Sequence, residues 1–432
     1  MTRETFTSRL AAIIAMVGVA LGLGNIWRFP YLVGRYGGAA FVLFYVAIVL
    51  LIGVPALMAE WALGRETKRG TVGAFERGGL PFGKPIGWFL FAIVVCATAY
   101  YTNVIGWVLW FAIAEVARPL GANIAAADIL PPLTGFSAKS LLLQIGCTAT
   151  VLLIGAAALL RGLRRGIERV SLFILPALTV TLLVLVVRAL TLPGARAGLD
   201  WYILKFNPAD LTPTVMVSAL GQAVFSLSLG GTFMVVYGSY LDDREKLLPA
   251  AGWTVFGDTI SGLIAGLAIF PAVFALGLDP TSGPALVFDT LPRVFATIPA
   301  GWLFGLLFFA GLFGAGYLSD IAALEVLIAG VTDNLGWSRH RATWTMTAIV
   351  LLCAIPPMLN MRVFVPWDLT FGSGMQTMGA LIAALTVGWA MNRGRALAAL
   401  GAPVWLYLWI RWVIPGAILM VGVWWLVTDL LG

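Results

Sequence analysis

Charge is scarce in this chain. Lys and Arg number 27 and Asp and Glu 20 in 432 residues, so charged residues make up 11% where a soluble domain has about a quarter, while 60% are apolar. So little charge cannot clothe a water-exposed surface, and the surface it leaves is one solvated by lipid tails. Cytosolic enzymes and nucleic-acid binders are excluded on that ground. Histidine occurs once, as His340 in a basic connection, and no nucleophile has a base placed beside it, so no catalytic or metal-ligating cluster is expected. The protein is therefore read as a non-enzyme without an organic cofactor. The three cysteines, Cys96, Cys147 and Cys353, fall in apolar runs and are read as small buried hydrophobes rather than disulfide partners.

What is abundant is uncharged run length. Crossing about 30 Å of hydrocarbon takes ~20 helical residues, and eleven stretches qualify, near residues 10–27, 36–59, 85–114, 140–160, 170–187, 211–241, 247–278, 294–319, 342–361, 369–392 and 404–428. Two contain a charge, Asp258 in the seventh and Arg411 in the eleventh, and each needs a reason because mid-membrane charge is costly. Basic residues concentrate in alternate connections, such as Arg65, Lys68, Arg69, Arg77 and Lys84, then Arg161, Arg164, Arg165 and Arg169. The net charge of +7 is thus a topology signal that puts the N-terminus in the cytoplasm and the C-terminus outside. Trp405, Trp409, Trp412, Trp424 and Trp425 read as interfacial anchors.

Two stretches contain matching interruptions. The first span carries Gly18, Gly22 and Gly24 followed by Asn25, and the sixth carries Ser226-Leu227-Ser228-Leu229-Gly230-Gly231. Each glycine costs about 1 kcal/mol in a helix, so both spans are predicted to break. Unwound backbone at membrane depth must be buried or line a wet cavity. There, freed carbonyls can hold a cation and freed N–H groups a carboxylate. The two breaks lie five spans apart, as expected if residues 1–190 and 205–392 form two inverted five-helix repeats, with residues 404–428 adding an eleventh helix.

The residues around these breaks resemble a known family. The string Gly22-Leu23-Gly24-Asn25-Ile26-Trp27-Arg28-Phe29-Pro30-Tyr31, then Gly53-Val54-Pro55-Ala56-Leu57-Met58-Ala59-Glu60-Trp61, Tyr100-Tyr101, Gly221-Gln222-Ala223-Val224-Phe225-Ser226 and Ala265-Gly266-Leu267-Ala268-Ile269-Phe270-Pro271, is similar to the neurotransmitter:sodium symporters, especially the bacterial branch that carries hydrophobic amino acids. The resemblance implies an all-α integral membrane protein with the leucine-transporter-like 5+5 fold, eleven helices, and helices 1 and 6 broken. It implies Na⁺-coupled amino-acid symport by alternating access in the bacterial inner membrane, with one or two Na⁺ ions carried. It leaves the oligomeric state open, and two rivals remain: a sensing relative that does not transport, or a symporter of another small amine or compatible solute.

Carried onto this chain, the resemblance places a first Na⁺ site at Ala20, Asn25, Ser226 and Asp258. Asp258 stands where many relatives have Asn, so its charge is expected to replace chloride. A second Na⁺ site would take Gly18, Leu21, Ala315, Leu318 and Ser319, but Leu318 replaces the usual Thr or Asp, with Asp320 adjacent as a candidate substitute. The substrate site would comprise Val19, Leu23, Gly24, Ala97, Tyr101, Phe225, Ser226, Ser228, Gly231, Ala322 and Ala323. Gly22 replaces the Asp of monoamine-carrying relatives, which favours an α-amino acid. Gly231 and Ala323 replace larger residues of a leucine-carrying member, so a roomy apolar pocket for a large hydrophobic or aromatic side chain is expected. Arg28 and Asp368 resemble the outer gate; Arg3, Asp333 and Tyr240, with Phe6 as an anchor, resemble the inner one. Gly166 and Pro176 resemble a spacing that lets helix 5 unwind.

Overall fold

A computed structural model describes residues 6–121, 124–162, 167–281 and 286–425 of the chain. Among the described residues every regular element is helical. In chain order the main ones are Arg9–Ala20 (α1), Gly24–Arg35 (α2), Ala39–Thr67 (α3), Thr71–Arg77 (α4), Gly83–Leu120 (α5), Ala138–Leu159 (α6), Arg169–Leu190 (α7) and Pro213–Ser226 (α8). They continue with Phe233–Gly238 (α9), Leu247–Ala275 (α10), Gly301–Leu335 (α11), Arg339–Met358 (α12), residues 361–390 (α13), Arg393–Leu400 (α14) and Val404–Met420 (α15).

By length and composition seven of these, α3, α5, α6, α7, α10, α11 and α12, can cross a membrane, and up to nine spans result if the bent pairs α1/α2 and α14/α15 each count as one. The sequence suggests eleven. Part of the shortfall has a local cause, since α8 and α9 are each too short alone; α13 carries π turns at Asp368–Gly374 and Thr386–Ala390. The eighth predicted stretch ends at residue 319, yet α11 runs to Leu335, because Asp320 (0% exposed) and Glu325 (1% exposed) find polar partners inside the protein. Lipid-facing surface is plain on α7, where Phe173, Val180 and Val187 are 76%, 61% and 64% exposed. Arg411 is accommodated by lying 4.4 Å over the Trp389 ring, with Nη1 donating to the Tyr407 hydroxyl.

Both expected breaks are present. Helices α1 and α2 meet at 52°, with residues 21–23 between them. α1 begins on Ser8, whose side chain accepts from Ala11 N–H, and α2 opens with the π turn Gly24–Arg28. Between α8 and α9, Ser228 (φ +52°), Gly230 (φ +80°) and Thr232 (φ +57°) occupy left-handed backbone, which no right-handed helix can pass through. The strained Ser and Thr are held by bonds to neighbouring helices: Ser228 Oγ donates to Val19 O, and the Thr232 and Thr71 hydroxyls lie 2.9 Å apart. Of the three free cysteines, Cys147 is buried and Cys96 and Cys353 are half-buried.

Candidate functional site

At the first break the donors that would extend α1 are diverted. The Gly22 N–H donates to Asn25 Oδ1 (3.0 Å) and the Leu23 N–H to the Tyr101 hydroxyl (3.0 Å). In an unbroken helix these donors would close on the carbonyls of Gly18 and Val19, four residues back. Val19 O is instead met by Ser228 Oγ (3.0 Å) and Ser319 Oγ (3.1 Å), and Leu21 O by Ser319 Oγ (3.2 Å). Main-chain oxygens of one broken helix thus face hydroxyls from the other break and from α11.

Asn25, Ser226 and Asp258 come together from α2, α8 and α10. Asn25 Nδ2 donates to Asp258 Oδ1 (2.7 Å), to the Asp258 main-chain oxygen (3.0 Å) and to Ser226 Oγ (3.1 Å). Ser226 Oγ lies 2.8 and 3.0 Å from the two carboxylate oxygens, and the Tyr45 hydroxyl lies 3.2 Å from Ser226 Oγ. Gln222 Nε2 fixes the other side of the break through Gly24 O (2.8 Å). No Lys, Arg or His pairs with Asp258 among the described residues, and it is fully buried. A buried carboxylate without a cationic partner is costly. Together with an amide oxygen, a hydroxyl and loose carbonyls it makes a hard-oxygen donor set suited to an alkali or alkaline-earth cation. Turning the Asn25 amide over would present its oxygen at the cost of the Gly22 bond and of the three bonds that Nδ2 donates.

The residues expected at a second cation site fit less well. Leu318 Cδ1 lies 3.3 Å from where a Cβ on Gly18 would stand, so a methyl group occupies the place of the usual hydroxyl. Asp320 does not compensate: its side chain turns to α5, where Thr102 Oγ1 donates to Oδ1 at 2.5 Å. Ser319 Oγ and the carbonyls of Gly18, Leu21 and Ala315 remain.

Beside these groups is a cavity offering about 50 Å³ to the centre of a water molecule. Of the residues expected in the substrate site, Gly24, Ala97, Tyr101, Phe225, Ser228 and Ala323 line it; Val19, Leu23, Ser226, Gly231 and Ala322 are not among its lining residues. Thr98, Tyr100, Phe233 and Gln376 also line it and were not anticipated. Gly22 has no room for a side chain, since a Cβ would stand 2.5 Å from both the Tyr101 hydroxyl and Ser319 Oγ. The space expected from Gly231 is filled by the Phe233 ring, which folds back over it. The cavity is therefore tighter than the sequence suggests.

At one end the Arg28 guanidinium lies 4.3 Å above the Phe225 ring, with Asp368 within electrostatic reach and hydrogen-bonded to Tyr100. At the other end Tyr240 donates to Glu325 Oε1 (2.5 Å) and Arg339 to Glu325 Oε2 (2.6 Å), while Asp333 accepts from Gly70 N–H (2.8 Å). Phe6 sits against the Tyr237 and Tyr240 rings. Arg3 and Gly166 lie outside the described residues. Glu325 is the missed member of this group; its signal was an acid in an otherwise apolar helical pattern.

The chain is similar to known proteins along most of its length. The model of the sodium:neurotransmitter symporter family matches residues 3–124 and 143–424. An uncharacterised sodium-dependent transporter of Bacillus subtilis is 31% identical over 443 residues, covering 96% of both chains. The Drosophila melanogaster sodium-dependent serotonin transporter is 26% identical, covering 82% of this chain and 64% of its own. The crystal structure of MhsT in complex with L-phenylalanine superposes with a TM-score of 0.86 at 35% identity, covering 98% of this chain and 99% of MhsT. The family model and the relatives match along nearly the whole chain, and the protein belongs to the sodium:neurotransmitter symporter family, whose members are membrane transporters rather than enzymes.

Proposed function

We propose that this sodium-dependent transporter carries a neutral, hydrophobic α-amino acid inward together with Na⁺, and that it needs no chloride. The observation that carries this reading is the buried Asn25–Ser226–Asp258 cluster beside a cavity whose wall at Gly22 excludes any side chain. In a relative that carries an amine, an acid at position 22 would have to fit there; here Gly22 brings no acid, so the carboxylate at the break has to come from the substrate. That carboxylate would accept from the Tyr101 hydroxyl, whose oxygen accepts from Leu23 N–H and which also pairs with Ser319. It would also complete the oxygen shell of a cation held by Ala20, Asn25, Ser226 and Asp258, which makes each ligand's binding depend on the other. Asp258 supplies the fixed negative charge that would otherwise have to come from an anion.

The occupant of MhsT, L-phenylalanine, supports an apolar substrate side chain. The substrate site in our reading includes Val19, Leu23, Ser226, Gly231 and Ala322 as well as the lining residues. The poorer donor set around Leu318 favours one strongly bound Na⁺ over two. Alternating access would proceed by opening the Arg28–Asp368 side while the Tyr240–Glu325–Arg339 side stays shut, and the reverse, the two states differing by a few kcal/mol. The inverted repeats 1–190 and 205–392, eleven spans, and a cytoplasmic N-terminus belong to the same reading. The direct test is binding of twenty labelled amino acids to purified protein in Na⁺ and in K⁺ buffer: selective, Na⁺-dependent binding of apolar ones is expected, and equal binding in K⁺ would refute it.

A further inference from the structure

Phe233 is one of four residues in the cavity wall, with Thr98, Tyr100 and Gln376, that the sequence pattern did not anticipate. It starts α9, immediately after the second break, and its ring folds back two residues to cover Gly231, where any Cβ would overlap it. It is 9% exposed and forms part of the cavity lining with Phe225, Ala97 and Ala323. The main chain on its N-terminal side is pinned at three places. Ser228 Oγ donates to Val19 O (3.0 Å), the Gly230 N–H to Glu60 Oε1 (2.7 Å), and the Thr232 hydroxyl is paired with Thr71 (2.9 Å). Gly230 also packs directly on the main chain of α13 at Gln376, so the backbone of the break cannot retreat without losing these contacts. A side-chain rotation about χ1 breaks none of them. The movable part of the wall is therefore the ring.

We propose that Phe233 determines which amino-acid side chains this transporter accepts: its ring, seated in the hollow that Gly231 leaves, is the wall against which the substrate's apolar side chain packs, and its rotation away makes room for the largest ones. The residue at 231 acts only by leaving the ring a place to lie. The inference rests on the amino-acid reading above, and it makes opposite predictions for two neighbouring substitutions. Removing the ring enlarges the site. Adding a methyl at 231 pushes the ring into the cavity and shrinks it.

The test is displacement of Na⁺-dependent [³H]L-leucine binding by unlabelled valine, leucine, phenylalanine and tryptophan, on purified full-length protein. A single methylene changes selectivity about 10- to 200-fold in an apolar pocket, so Phe233→Ala should shift the tryptophan-to-leucine preference toward tryptophan at least tenfold. Gly231→Ala should shift it at least tenfold the other way. Phe233→Leu, which keeps an apolar group of middling size and serves if the alanine variant does not fold, should move in the same direction as Phe233→Ala by at least threefold. Ratios within threefold of the wild type in the folded variants, with leucine binding intact, would overturn the role of Phe233 alone. Absence of Na⁺-dependent binding of any of the four to the wild type would overturn the amino-acid reading beneath it.

Discussion

Asp258→Asn probes the cation site with the smallest change of shape. The carboxylate is fully buried, and its partners among the described residues are neutral: Asn25 Nδ2 at 2.7 Å, Ser226 Oγ at 2.8 and 3.0 Å, and the Tyr45 hydroxyl. A unit charge about 4 Å from a cation contributes roughly 4 kcal/mol at an effective dielectric constant near 20. Asparagine keeps an oxygen dipole in the same place, so part of this remains, and we take about 1.4 kcal/mol, a tenfold change, as the smallest expected loss. The assay is a Na⁺ titration of labelled amino-acid binding, run in chloride and in gluconate, with thermal melting as the control for folding. The wild type should give the same midpoint in both anions. The variant should need at least tenfold more Na⁺ in gluconate and recover part of that in chloride, since a mobile anion can restore the missing charge. A variant that folds and shifts its midpoint less than threefold would refute the assignment of Asp258.

Other perturbations have equally definite outcomes. Gly22→Ala places a methyl 2.5 Å from two hydroxyl oxygens, and amino-acid binding should fall more than a hundredfold with little change in melting temperature; retained binding would show that position 22 has slack. Leu318→Thr exchanges the methyl beside Gly18 for a hydroxyl and should steepen the Na⁺ dependence of binding, its Hill coefficient rising from near 1 toward 2; an unchanged slope would mean that the second site is absent for another reason or already formed. Glu325→Gln removes a charge that Arg339 and Tyr240 both meet at 2.6 and 2.5 Å. Arg339 is 36% exposed, so screening reduces the loss to about 1–2 kcal/mol, seen as a lower melting temperature and faster labelling of a cysteine introduced at Ser239, which is 1% exposed.

Legibility in the sequence followed the kind of signal involved. Glycine and hydroxyl clusters wrote both breaks, because helical backbone cannot tolerate their conformations at membrane depth without partners, and the breaks fall at residues 21–23 and 227–232 where the pattern put them. The gathering of Asn25, Ser226 and Asp258 was legible only through the family resemblance, since it spans three helices. Helix ends were poorly legible where charge was taken as an end: α11 continues past Asp320 and Glu325 because tertiary partners satisfy them. The cavity size was misjudged at Gly231 for a similar reason. Absence of a side chain in the sequence reads as space, but a ring two residues further along the chain fills it.

The central claim is that a Na⁺ gradient drives an amino acid through this cavity. Uptake of labelled L-leucine or L-phenylalanine into proteoliposomes tests it most directly, with inward Na⁺ and K⁺ gradients compared side by side and Asp258→Asn as the control. Accumulation above the external concentration is expected with the Na⁺ gradient, none with the K⁺ gradient, and exchange of labelled for unlabelled substrate in counterflow. Na⁺-dependent binding without any accumulation or exchange would contradict it and leave a sensor in place of a carrier.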